Sequence, residues 1–211
     1  MWKLSPSMLE SYRAFKYDLY GTTLEDYLQQ IKGVFVPNEK MKFGTAIHKF
    51  LEEPDPRSEH AKTSFEGEEV DQLMLINELI PQGTGELYVS VEIEDIRYNM
   101  FIDRMVGRQV HEFKTGSQFS GVDAYDVSMQ WRLYLLGTGG QSVTYHCITF
   151  SDCKPENRPV KFKYHNPFTF YPYKDMQRDV LQLSRDFIDF CIHHKVEEFI
   201  MPKEKQSETN Y

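Results

Sequence analysis

Three strand-like runs in close succession constrain this chain more than any other feature of its sequence. Leu87–Ile93, Arg97–Val106 and Gln109–Thr115 are rich in β-branched and aromatic residues, and the joints between them are short. Gly107-Arg108 fits a two-residue hairpin turn with glycine first, as a type II′ turn requires. Counting outward sets 106 opposite 109, 105 opposite 110, 104 opposite 111 and 103 opposite 112. Asp103 and Glu112 then face each other with Cβ atoms about 4.5–5.5 Å apart, where like charges repel. Lys114, two residues on, joins the side of Glu112.

The rest of the chain reads as helices and strands around this hairpin. Ser5-Pro6 supplies an N-cap and a first-turn proline for a helix over 5–20. Ile47, Phe50 and Leu51 share a face over Phe43 to Glu52, and Glu53-Pro54-Asp55-Pro56 breaks that helix. A short helical patch fits Val70–Ile80, and Pro81–Gly85 reads as a loop. One helix is expected over Val122 to Leu136, ended by Gly137 and Gly139-Gly140. Ser142–Phe150 and Val160–Tyr164 read as strands, and a long helix fits 174–199. The polar tail 203–211 is expected to be disordered. The order predicts a mixed α/β fold in a single domain over 1–202, with its core at about 40–150.

A divalent cation would relieve the repulsion between Asp103 and Glu112. Hard oxygen ligands suit Mg²⁺ or Mn²⁺, and Lys114 beside them could orient a water or neutralise a charged transition state. The plain alternative is that both carboxylates point into solvent. Against it, Met105, Val110 and Phe101 share their face, which puts the pair at the border of a core. His111 faces away by strand alternation. His193-His194 lacks a third ligand and reads as a solvated helix end.

Asp103 followed by Glu112-Phe113-Lys114 resembles the D…ExK core of the PD-(D/E)XK nucleases, and flanking strings resemble the RecB-like branch. Gly44-Thr45-Ala46-Ile47-His48 is similar to its G-x-x-x-H helix, and Gln130-Trp131-Arg132-Leu133-Tyr134 to its Q-x-x-x-Y motif. Glu112-Phe113-Lys114-Thr115-Gly116 is similar to its D-Y-K-T-G string, and Ser5–Tyr12 to its first helix. The resemblance implies a restriction-endonuclease-like αβββαβ core, a central mixed sheet flanked by helices. It implies catalytic Asp103, Glu112 and Lys114, with Mg²⁺ or Mn²⁺ held by His48, Asp103, Glu112 and the backbone carbonyl of Phe113. Gln130 and Tyr134 would contact nucleic acid. Arg104, Arg132 and Lys49, the cations nearest these motifs, would do so as well. Glu92 matches the branch's additional acidic residue. Implied overall is a phage- or prophage-type DNA exonuclease of recombination, repair or replication. A structure-specific endonuclease and a non-catalytic DNA- or partner-binding subunit stand as alternatives.

Charge and cysteine usage add limits. The net charge of −8, from 24 basic and 32 acidic side chains, argues against a broad phosphate-binding surface. That acidity is uneven. Residues 57–95 hold ten acidic side chains against Arg57 and Lys62, whereas 154–178 carries a net +4 interleaved with aromatics. Such a segment either tracks a single strand or is a half-buried strand with its lysines outward. Weak, salt-sensitive DNA binding through local basic patches follows. Three cysteines cannot supply a four-thiolate iron–sulfur cluster, and an odd number without a framework fits a reducing cytoplasm. No apolar run approaches a membrane span. No phosphate-binding G-x-x-x-x-G-K-[ST] string is present, so unwinding would need a helicase or recombination partner.

Overall fold

The computed structural model describes residues 1–34 and 36–201. Among them, seven strands form a central mixed sheet flanked by helices. The order is β1 (Trp2–Leu4), α1 (Pro6–Lys16), α2 (Leu24–Ile31), α3 (Glu39–Glu52), α4 (Glu59–Ser64), α5 (Gly67–Glu78), β2 (Thr84–Ile93), β3 (Ile96–Val106), β4 (Gln109–Gly116), α6 (Val122–Asp126), α7 (Met129–Thr138), β5 (Ser142–Phe150), β6 (Phe162–Tyr164), β7 (Phe168–Phe170) and α8 (Met176–His193). The sheet runs β1-β3-β4-β5-β6, with β2 also on β3 and β7 also on β5. The tail expected over 203–211 lies outside the described residues.

The chain divides into two compact units. The described residues of 1–35, 90–100 and 174–211 form the first, and 36–89 with 101–173 form the second. In the first, Ser5 caps α1 by accepting the Met8 N–H, with Pro6 in the opening turn. β1 pairs in parallel with β3 from Trp2↔Ile96 to Leu4↔Tyr98. Its core is aromatic. Tyr12 packs on Phe187 with ring centroids 5.1 Å apart, and Phe15 stacks on Tyr27 at 4.4 Å. The buried Tyr98 hydroxyl donates to Ser184 Oγ at 2.8 Å. The final helix stops at His193, and 197–199 form a separate 3₁₀ turn.

The second unit holds the hairpin. Val106↔Gln109, Met105↔Val110 and Arg104↔His111 pair in the expected register, and Gly107 has φ +60° as the tight turn demands. β4 then pairs in parallel with β5 over eight positions, Gln109↔Ser142 to Gly116↔Thr149, reached through α7. The expected helix over Val122–Leu136 is two helices. Ser128 lies between them in an extended conformation, and its side chain accepts the Gln130 N–H, so it ends one helix and starts another. β7, bracketed by Pro167 and Pro172, pairs with β5 as a strand not among those expected from the sequence.

The core of this unit joins α3, α5, β4 and β5 through Ile47, Phe50, Leu51, Leu73, Phe113 and Ile148. One buried carboxylate ties α5 to the chain before β6. Glu69 is fully buried and accepts from Arg158 and from the Val160 N–H. The Arg158 cation of the basic segment is therefore committed to the fold. On the face of β4 away from Glu112, His111 Nδ1 lies 2.9 Å from His146 Nε2, and His146 Nδ1 lies 2.6 Å from the Tyr164 hydroxyl.

Candidate active site

Three segments of the second unit, in α3, the 101–106 part of β3 and β4, bring the candidate residues together. α3 supplies His48, and one turn later Glu52, on one face of the helix. β3 supplies Asp103. β4 supplies Glu112, the Phe113 main chain and Lys114. The helix can lie this close because residue 44 is glycine: a Cβ there would come 2.8 Å from Thr115 Oγ1.

Asp103 and Glu112 occupy facing strands just beyond the last ladder pair. Asp103 Oδ2 takes up the Phe113 N–H at 2.6 Å. His48 Nδ1 is 3.8 Å from the same oxygen. Single ligand atoms of His48, Glu52 and Asp103 all lie within 4.8 Å of one another. Glu112 is 3% exposed. Its Oε1 accepts from Lys114 Nζ at 2.8 Å and from Gln130 Nε2 at 2.7 Å. Its Oε2 is buried with no hydrogen-bond partner.

Burial, then the charge of Glu112, pushes the Asp103 carboxyl well above the usual range, against the pull of the Phe113 N–H and Lys114. Burial also raises Glu52, helped by Glu86 and Glu53. His48 moves the other way. Burial lowers it, Lys114 adds to that, and Glu112 and a main-chain hydrogen bond with Phe113 oppose. At neutral pH its imidazole is uncharged and keeps a lone pair. Three carboxylates and a neutral imidazole converge here, with Lys114 bonded to Glu112 and the charge of Lys49 acting on Glu52.

Gln130 and Tyr134 stand behind the carboxylates. Gln130 Oε1 accepts from Lys114 Nζ at 2.6 Å, and its Nε2 donates to Tyr134 Oη at 2.8 Å. The Tyr134 hydroxyl donates in turn to the Phe101 carbonyl at 2.9 Å. Tyr134 is 3% exposed, and burial followed by the charges of Glu112 and Asp103 raises it well above the ordinary phenol range. It remains a neutral donor. Both residues therefore orient the site's own groups.

The basic residues separate by exposure. Arg104 is 2% exposed, and its guanidinium donates to the Leu51 and Pro81 carbonyls and to Asn77 Oδ1. It fastens the end of α3 to β3 and has no surface to offer a phosphate, which corrects its expected role. Arg132 donates to the Asp126 and Ser128 carbonyls and to the Tyr173 hydroxyl, bracing the α6–α7 junction. Lys49 is exposed and lines a cleft of about 870 Å³ with Lys40, His48, Glu52 and Glu86. Glu92 lies in the first unit, where its carboxylate pairs with Arg97. Within the second unit, Glu52 and Glu86 are the further acidic groups at the cleft. The i, i+4 spacing from His48 marks Glu52 in the sequence. Nothing local marks Glu86, a residue with positive φ at the start of β2. Phe101, expected against a core, is 61% exposed.

No family model matches the chain, and no curated protein does. Solved structures do. A Eubacterium rectale protein provisionally named an exonuclease superposes with a TM-score of 0.52 at 9% identity, over 95% of this chain and 83% of that one. An alkaline exonuclease from Laribacter hongkongensis gives 0.45 at 14% identity, over 93% of each chain. The same enzyme in complex with dAMP gives 0.45 at 15% identity, over 93% and 90%. The first likeness establishes a shared fold.

Proposed function

We propose that the chain is a metal-dependent nuclease that hydrolyses phosphodiester bonds in DNA, acting as an exonuclease. The observation that carries this reading is the convergence of single ligand atoms of His48, Glu52 and Asp103 within 4.8 Å, with the buried Glu112 acting on Asp103 and its Oε2 left without a hydrogen-bond partner. A buried acceptor without a donor is costly, and so are two carboxylates in contact. One divalent cation relieves both. The donor set fits Mg²⁺ or Mn²⁺: Asp103, Glu112, the Phe113 carbonyl and His48, with Glu52 a further carboxylate within reach.

Bound there, such an ion would act as a Lewis acid and lower the pKa of a coordinated water toward neutrality. The protein's own groups do the rest. Lys114, fixed between Glu112 and Gln130, sets a positive charge where negative charge develops on a phosphoryl group. Gln130 keeps Glu112 and Lys114 in one orientation, and Tyr134 fixes Gln130. Lys40 and Lys49 supply the cations of the open cleft for a phosphate backbone. Exonuclease action follows the RecB-like resemblance and agrees with the names of the solved proteins. The reading extends to DNA recombination, repair or replication in a host cytoplasm, with a helicase or recombination partner supplying unwound strands.

Linear and covalently closed circular DNA, each incubated with protein and Mn²⁺, test the mode. Loss of linear DNA with circles intact is expected. Cutting of circles would replace the exonuclease with an endonuclease. Inertness of wild type on every form of DNA, with Mg²⁺ and with Mn²⁺, would overturn the nuclease reading.

A further inference from the structure

We propose that the exposed ring pair Tyr88–Phe101 is a stacking subsite for an unpaired nucleobase of the strand being cut. The inference rests on the nuclease reading and specifies which part of the substrate meets the sheet beside Asp103.

β3 alternates its side chains between two faces, and its burial follows that alternation from Ile96 to Arg104. Phe101 and Asp103 thus share the open face. Phe101 is 61% exposed and Tyr88 54%. Their ring centroids are 5.2 Å apart with planes at 51°. Single exposed apolar residues are ordinary, but two adjoining aromatic rings on the strand face that carries Asp103 form a surface suited to a ligand.

Position identifies the ligand. Two residues along a strand span about 6.6 Å, so Phe101 lies that far from Asp103 along β3. Tyr88 is likewise two residues from Glu86, which lines the cleft with His48 and Glu52. A phosphodiester held at the carboxylates brings the base on its own sugar within reach of these rings. The Phe101 main chain is tied to the chemistry as well, since the Tyr134 hydroxyl that it accepts from also takes a hydrogen bond from Gln130. Four acidic side chains, Glu52, Glu86, Asp103 and Glu112, limit what charge alone can contribute to binding a polyanion. Stacking is an attraction that does not depend on charge, and it accepts any base because each has a π face. A base inside a duplex has both faces covered by its neighbours. The subsite therefore fits a single strand or a frayed end.

The probe is a single-stranded oligonucleotide carrying 2-aminopurine at one of its three terminal positions, with Mn²⁺. It is bound to a Lys114→Ala protein so that the strand stays intact. Quenching of 2-aminopurine is expected at one of these positions. Adding Phe101→Leu and Tyr88→Leu, which keep apolar bulk but remove the rings, should abolish the quenching and weaken binding roughly tenfold. Phe101→Trp should restore both. In the protein with Lys114 intact, the double Leu variant should raise KM for single strands more than it lowers kcat. Thermal midpoints of the variants report separately that they fold. Unchanged quenching and affinity in the double Leu variant would overturn the subsite and leave the nuclease reading standing. Failure of the Lys114-intact protein to bind or cut any DNA would overturn both.

Discussion

The two oxygens of Glu112 meet different fates, and the difference organises the site. Oε1 is shared by Lys114 and Gln130, whereas Oε2 has no donor. Side chains with the same sequence label also diverge. Lys49 and Arg104 both neighbour the candidate motifs, yet Lys49 is exposed and Arg104 is 2% exposed. Lys49→Ala should lower the slope of log K against log salt for DNA binding by about one unit, the signature of one lost phosphate contact. Arg104→Met should leave that slope unchanged. It should instead destabilise the fold by about 2–4 kcal/mol in urea, because the carbonyl oxygens of Leu51 and Pro81 and the Asn77 amide oxygen lose their donor. An unaltered urea midpoint with a reduced salt slope would show that Arg104 reaches the phosphates after all.

At the scale of the element, Ser128 decides where α7 begins and therefore where Gln130 points. Ser128→Ala removes the cap and should cost about 1 kcal/mol. It should also lower any nuclease activity by more than that loss of stability explains, since Gln130 sits in the first turn. Glu69 makes a comparable prediction for α5. Burial raises its carboxyl, but Arg158 and the Val160 and Glu66 N–H groups outweigh burial and leave it below its ordinary value. A depressed carboxyl contributes stability that is fully present above about pH 4.3 and is lost as pH falls through the lower folded value. Wild-type urea midpoints should fall through that acid window. Glu69→Gln should already be destabilised at pH 7, by roughly 3 kcal/mol, and show a flatter decline. A parallel decline in both proteins would place the acid sensitivity elsewhere.

The hairpin was legible from its residues because Gly107-Arg108 fixes a turn and period-two alternation does the rest. The site's core was legible for the same reason, once the G-x-x-x-H and Q-x-x-x-Y spacings were added. What escaped depends on distant partners. β7 is three residues long and becomes a strand only by pairing with β5. The burial of Arg104 follows from carbonyls 23 and 53 positions away along the chain. Glu86 enters the cleft because β2 begins at Thr84, inside a stretch whose proline and glycines read as a loop.

For the whole molecule, the net charge of −8 is a sum over regions with separate uses. Asp103 and Glu112 are the carboxylates we propose hold a cation, Glu69 is paired with Arg158, and Lys40 and Lys49 line the cleft. DNA binding should accordingly be weak, strengthened by divalent metal and reduced steeply by salt. No helix among the described residues is long and apolar enough to cross a membrane. The central claim is metal-dependent hydrolysis at one centre. Its most direct test is release of labelled nucleotides from end-labelled linear DNA by wild type and Lys114→Ala, titrated with Mn²⁺ and then quenched with chelator. The expected result is Mn²⁺-dependent release by wild type, abolished by chelator. Lys114→Ala should bind Mn²⁺ as wild type does yet cleave at least about 10²-fold more slowly. Equal release by the two proteins, or release that persists in chelator, would contradict it.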